Sequence, residues 1–238
     1  MCTRFVCCGE DVLTGFNFDI DLAVWNHKVF TETDGFYIGI LQPDGVYHSY
    51  HGVNQNGNAG TLLYVHGNSA GAYRSDPNCI TIADLTERFI KGQLSFAEAL
   101  YLVRTKHITY APDATMQAML SDKQGQVLII EPGIGYRQAE GPYALITNYS
   151  LLRPESTRAF IVPGDDRYQR ALRQLKQTPG LSVADAFALL QSVRQEGPWA
   201  TRVSFVYAAK EQAVYYTENN DFAHIKKFVF PAAKQAES

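Results

Sequence analysis

Apolar and polar positions change period several times along this chain, and the changes divide it into blocks of strands and helices. Residues 2–8 and 12–19 are β-rich runs separated by Gly9-Glu10-Asp11, which predicts a hairpin. In Gly15-Phe16-Asn17-Phe18-Asp19 aromatic and polar side chains alternate, so Asn17 and Asp19 share one face and Phe16 and Phe18 the other. Further strands are predicted at 36–41, 46–50 and 61–66, with turn chemistry at Pro43-Asp44-Gly45 and Asn54-Gln55-Asn56-Gly57. The first third therefore reads as an antiparallel meander.

A period near 3.6 then takes over. Residues 82–91 place Ile82, Leu85 and Phe89 on one face and stop at Gly92. A second helix, 96–105, starts from Ser95 with Glu98 three residues on, a capping box. Strands return at 115–121, 126–131 and 143–147. Helices follow at 166–176, capped by Asp165, and at 183–194, capped by Ser182, the latter burying Val183, Ala186, Phe187, Leu190 and Val193. Strands at 202–208, 212–217 and 225–230 close the chain. Clustered strands with grouped helices predict an α+β fold of antiparallel sheets covered by helices. No repeat, low-complexity tract or linker interrupts it, so residues 1–238 are expected to form one domain.

Composition narrows the function classes. The 238 residues are 46% hydrophobic and 19% charged, with 14 Tyr and 13 Phe, enough apolar material for a large core. A net charge of −3 gives no reason to expect nucleic acid or an anionic membrane as partner. No apolar run approaches the ~20 residues of a spanning helix, and nothing ahead of Cys2 resembles a signal peptide, so a cytoplasmic location is the expectation. The four cysteines (Cys2, Cys7, Cys8, Cys79) contain no C-x-x-C pair and the six histidines no i, i+4 pair, which argues against zinc; no cofactor is expected. Adjacent Cys7 and Cys8 point to opposite faces, so one of them is expected in the core.

The chemistry starts at the second residue. Methionine ahead of a small side chain is readily removed, and the mature chain is expected to begin at Cys2. That residue would carry both a thiol and a free α-amine, with ordinary pKa values of about 8.5 and about 7.7–8.0. An amine titrating there can serve as general base, and the thiolate is the attacking species. A terminal amine that activates its own side chain is an established way to make a nucleophile.

Five motifs in order extend this reading: Met1-Cys2-Thr3; Gly15-Phe16-Asn17-Phe18-Asp19; Gly52-Val53-Asn54-Gln55-Asn56-Gly57; Asp122-Lys123-Gln124-Gly125 through Glu131 to Thr147-Asn148; and Pro163-Gly164-Asp165 leading into Arg167-Tyr168-Gln169-Arg170. Together they resemble the choloylglycine hydrolase and penicillin V acylase family of N-terminal-nucleophile hydrolases. The resemblance implies a four-layer α-β-β-α sandwich and cleavage of a linear amide C–N bond in a small N-acyl substrate. It implies a role for each matching position. Cys2 would attack the carbonyl, and Asp19 would hold the α-amine. Asn148 would donate to the oxyanion, a backbone N–H near Tyr64 would be the second donor, and Arg167 would brace the site, with Arg170 a competing match. Homo-oligomerisation is left open.

One departure stands out: the family's G-R-N-x-D arginine is Phe16 here. Arg4, on the same strand face as Cys2, is expected to replace that charge. The chain is also shorter than typical bile-salt hydrolases, which does not favour a bile-salt substrate. Three alternatives remain. The acyl-enzyme could pass its acyl group to an amine instead of water. Gly67-Asn68-Ser69-Ala70-Gly71, with Asp165 and His224 in order behind it, matches a serine-hydrolase elbow, although Pro77 leaves little room for the required helix. A non-catalytic acyl binder is the third.

Overall fold

The computed structural model describes residues 2–231; Met1 and residues 232–238, at the two ends of the expected domain, lie outside the described residues. The strands are β1 (Thr3–Cys8), β2 (Val12–Asp19), β3 (His27–Glu32), β4 (Gly35–Leu41), β5 (Tyr47–Asn54), β6 (Ala59–Tyr64), β7 (Cys79–Thr81), β8 (His107–Thr109), β9 (Met116–Ser121), β10 (Val127–Glu131), β11 (Gly135–Ala139), β12 (Tyr143–Ile146), β13 (Thr201–Ala208), β14 (Ala213–Glu218) and β15 (Lys226–Val229). The helices are α1 (Ile82–Ile90), α2 (Phe96–Thr105), α3 (Arg167–Gln177) and α4 (Val183–Ser192). One antiparallel sheet runs β12-β1-β2-β13-β14-β15 and the other β11-β10-β9-β6-β5-β4-β3. β7 and β8 form a short parallel pair.

The two sheets pack face to face, and a pair of helices covers each outer surface. β10 shows how the sequence dictates this: Val127 and Ile129 point between the sheets, while Leu128 and Ile130 pack under α1 and α2. A sheet buried on both faces needs apolar side chains at every position, which is why 127–130 is a continuous apolar run. In β13, Val203, Phe205 and Tyr207 face the other sheet, and Val206 and Ala208 meet α3 and α4. The result is the expected α-β-β-α sandwich. Cys7 lies beneath the helices with 3% exposure, and its neighbour Cys8 faces the other way.

Several local expectations needed correction. β3, β7, β8 and β11 were not read from the sequence. β3 and β11 are sheet edges; β11 is largely exposed, and β7 and β8 are three residues each, so none carries a sustained period. α3 starts one residue later than expected, with Asp166 at the N-cap position but making no side-chain cap bond, while Asp165 Oδ1 accepts from both the N–H and the Nε of Arg167. The family motifs prove largely structural. Asn54 Oδ1 accepts from the N–H groups of Asn56 and Asn58, and Asp122 Oδ1 from those of Gln124 and Gln126, closing two hairpin turns. Asn17 ties β2 to the Leu190 carbonyl of α4 and accepts from Ser204.

Candidate active site

Antiparallel pairing alone assembles most of the site. β1 starts where β2 ends, since Thr3 lies opposite Asn17, and where β12 ends, since Arg4 lies opposite Ile146. Continuing both registers puts Asn148 on one side of Cys2 and Phe18, the residue before Asp19, on the other. β13 adds Thr201 opposite Asp19. Arg167 comes from the helical layer, at the first residue of α3.

The contacts are short and buried. The Cys2 N–H donates to Asn148 Oδ1 at 2.7 Å, and the Asp19 N–H points at Cys2 Sγ at 3.5 Å. Arg167 donates from Nη1 to the Cys2 carbonyl (3.1 Å) and from Nη2 to Asn148 Oδ1 (3.3 Å). Its other edge grips Asp165, Nε to Oδ1 at 2.9 Å and Nη2 to Oδ2 at 2.7 Å, and Asp19 Oδ2 lies 3.8 Å from Nη1. Asp19 Oδ1 accepts from Thr201 Oγ1 at 2.6 Å. Buried Glu131, from the fourth motif, accepts from Ser150 Oγ and from the N–H groups of Leu151 and Leu152, fixing the loop just past Asn148.

Electrostatics follow from burial. Removal from water pushes the Cys2 thiol up to about 11, with the chain's terminal ammonium and Arg167 pulling the other way. Burial likewise raises Asp19 to about 7 against the same ammonium, the Thr201 hydrogen bond and Arg167. Burial also opposes ionisation of Asp165, but its hydrogen bonds to Arg167 and Tyr149 outweigh this and hold the carboxyl below its ordinary value. The partners of Arg167 in turn keep its charge firmly in place.

The sequence-predicted residues Cys2, Asp19, Asn148 and Arg167 are thus brought together, and Arg170 is not: it is partly exposed, paired with Asp166 and bonded to the Ser192 carbonyl. Asn148 Nδ2 donates to the Tyr64 carbonyl at 2.8 Å, which puts Tyr64 beside the site. One detail differs from expectation. Arg4 does share the strand face of Cys2, directly opposite Phe16, but its guanidinium runs to Ser121 Oγ (2.8 Å) and the Phe5 carbonyl and makes no bond to Cys2. The charge expected to replace the lost arginine therefore does not reach the thiol; Arg167 instead reaches the carbonyl of the same residue.

Cys2 opens into a cleft of about 780 Å³. Its walls are mainly apolar or aromatic, among them Phe18, Ile40, Leu62 and Met116, and no Lys or Arg among the described residues lines it. Ser69 belongs to the same wall, in a 3₁₀ turn capped by Asn68. The serine-hydrolase alternative fails on geometry, because Asp165 is held by Arg167 and His224 is an exposed residue bonded to Asp221. His51, in β5, was missed by sequence reading; it is 2% exposed and lines the cleft. A histidine within a strand gives no sequence signal of its own.

No protein-family model and no curated protein matches the sequence. Solved structures do. A mutant conjugated bile acid hydrolase from Clostridium perfringens superimposes with a TM-score of 0.72 at 12% identity, covering 95% of this chain and 92% of that one. Penicillin V acylase from Agrobacterium tumefaciens gives 0.63 at 18% identity over 92% and 83% of the two chains. The Caenorhabditis elegans ortholog of N-acylethanolamine-hydrolyzing acid amidase gives 0.60 at 15% identity over 87% and 93%. At these identities the likeness is one of fold, and the chain has the four-layer sandwich of the N-terminal-nucleophile hydrolases.

Proposed function

We propose that this protein hydrolyses a linear amide through an acyl-enzyme on Cys2, once the residue ahead of Cys2 has been removed. The observation that carries the reading is the convergence of Asp19, Asn148 and Arg167 on the N–H, thiol and carbonyl of one residue. Removal would turn the N–H now bonded to Asn148 Oδ1 into an α-amine held at the same place. The amine takes the thiol proton as Sγ adds to the substrate carbonyl. Collapse of the tetrahedral adduct breaks the C–N bond, and the ammonium protonates the leaving amine. Water then attacks the thioester with the amine again as base, releasing a carboxylic acid. Asn148 Nδ2, now on the Tyr64 carbonyl, is the side-chain donor in reach of an oxyanion, and a backbone N–H beside Tyr64 is the second. One such donor contributes about 2.7–4 kcal/mol to barrier lowering. Arg167 fixes Asn148 and the Cys2 carbonyl, and Asp19 balances the terminal charge.

The cleft supports an apolar acyl group and an amide free of negative charge, since it offers Asp19 and Asp113 but no Lys or Arg among the described residues. This matches the absence of support for a bile-salt conjugate. We further read the chain as one domain, because its central core draws on both sheets. The experiment is amine release by the processed protein from matched N-acyl amides. Neutral amides should be cleaved at least tenfold faster than conjugates bearing carboxylate or sulfonate, and Cys2→Ala should be silent and folded. Inactivation by serine-directed phosphonates, with indifference to thiol reagents, would overturn the reading.

A further inference from the structure

His51 is placed as a binding group rather than as filler. β5 and β6 pair at Gly52 with Gly60 and at Val53 with Ala59. Two residues along β6, the Leu62 N–H instead donates to His51 Nδ1 at 3.2 Å. A ring nitrogen that accepts carries no proton, and burial drives the imidazole pKa down to about 3, so the ring is neutral with its proton on Nε2. Stacking fixes the ring plane: Phe16 lies at 5.1 Å and 26°, and Phe18 at 4.9 Å and 48°. Phe16 therefore fills the place of the family's arginine as one side of an aromatic clamp. Nε2–H has no hydrogen-bond partner among the described residues and is not one of the buried unpaired atoms, so it keeps access to the cleft, whose lining is mainly apolar. A hydrocarbon seated against it would strip that donor of water without replacing the bond, which is costly.

We propose that His51 determines acyl specificity: its Nε2–H hydrogen-bonds an uncharged acceptor oxygen (ether, hydroxyl or keto) carried on the substrate's acyl chain. The proposal rests on the reading of the cleft as the acyl site. A carboxylate is disfavoured as the acceptor because the ring is neutral and the cleft supplies acids and no Lys or Arg among the described residues. An all-carbon chain leaves the donor unpaired, so the site discriminates against it.

Binding tests this apart from catalysis. The chain's two tryptophans, Trp25 and Trp199, both line the cleft, so intrinsic fluorescence reports its occupancy. N-methyloctanamide is titrated into the Cys2→Ala protein, alongside three analogues with an ether oxygen at successive chain positions. One analogue should bind about fivefold to tenfold tighter than the parent, the ordinary net worth of a neutral hydrogen bond. His51→Asn in the same background should erase that margin. Asparagine places an acceptor near the Nδ1 position for the Leu62 N–H and removes the Nε2 donor, so a mere strand-capping role would leave the margin intact. The margin within the Cys2→Ala protein stands as a separate readout should the asparagine variant fold poorly. Binding with no preference for any ether, or the same margin in His51→Asn, overturns the proposal alone. Failure of all four probes to bind overturns the acyl-cleft reading with it.

Discussion

Arg167 and Arg4 are buried alike, at 1% and 0% exposure, yet their surroundings are opposite. Arg167 is gripped along one edge by both oxygens of Asp165, lies 3.8 Å from Asp19, and donates to the Cys2 carbonyl and to Asn148. Arg4, between the sheets, donates to a serine hydroxyl and a backbone carbonyl, its Nε has no partner, and no carboxylate lies within ion-pair distance among the described residues. Burial alone pulls Arg4 down to about 9, whereas the carboxylates around Arg167 more than offset its burial. A buried guanidinium is costly unless matched by acids and oriented acceptors. Only at Cys2 has the chain supplied them, and that concentration marks the site.

Breaking the Arg167 side should give the largest effect. Arg167→Met strands Asp165 and Asp19 without their cation, and a loss of about 3–5 kcal/mol is expected in chemical denaturation, with amide cleavage abolished. Arg167→Lys keeps the charge without the fork and should fall between.

Asp19→Asn comes next. Protein still carrying Met1 holds the Asp19 proton up to about pH 7, whereas the unfolded chain releases it near pH 4. Between those values the folded state binds more protons, so this group's contribution to stability is fully present below pH 4 and is lost as pH rises through 7. The stability of wild type relative to Asp19→Asn should therefore decline across that window. A difference independent of pH would show that Asp19 keeps an ordinary pKa.

Arg4→Met sharpens the contrast from the other side. Replacing an unmatched buried charge by an apolar side chain of similar length should cost no more than about 1 kcal/mol, or stabilise. The pH profile of Cys2 alkylation should not move, because Arg4 makes no bond to Cys2. The smallest effect belongs to Arg170→Ala, where a partly exposed pair with Asp166 and the bond to the Ser192 carbonyl are lost; a change of no more than about 1 kcal/mol and unchanged turnover are expected.

How much of this was legible in the sequence follows from which residues carry local signals. The hairpin of residues 2–19, the capping box at Ser95 and the N-cap at Ser182 depend on neighbours in sequence, and all formed as read. Cys2, Asp19, Asn148 and Arg167 were found through motif order, since their meeting depends on sheet register across more than 140 residues. The fate of Arg4 was not legible: alternation gave its face, but whether a long side chain turns toward Cys2 or Ser121 is decided by the opposite sheet. His51 escaped for the same reason. Its role arises where β5 and β6 leave the Leu62 N–H to a side chain, and no local pattern announces such a place.

The central claim is that the Cys2 α-amine activates its own thiol, and the most direct measurement is the pH dependence of Cys2 alkylation, read by peptide mass. Two preparations are compared, one beginning at Cys2 and one with Met1 blocked from removal. With Met1 retained, burial holds the thiol near 11, and iodoacetamide should label Cys2 only in strong alkali. With the α-amine freed on the same residue, labelling should set in near neutral pH, and amide cleavage should appear with it. Identical profiles, or full activity from the blocked protein, would contradict the account.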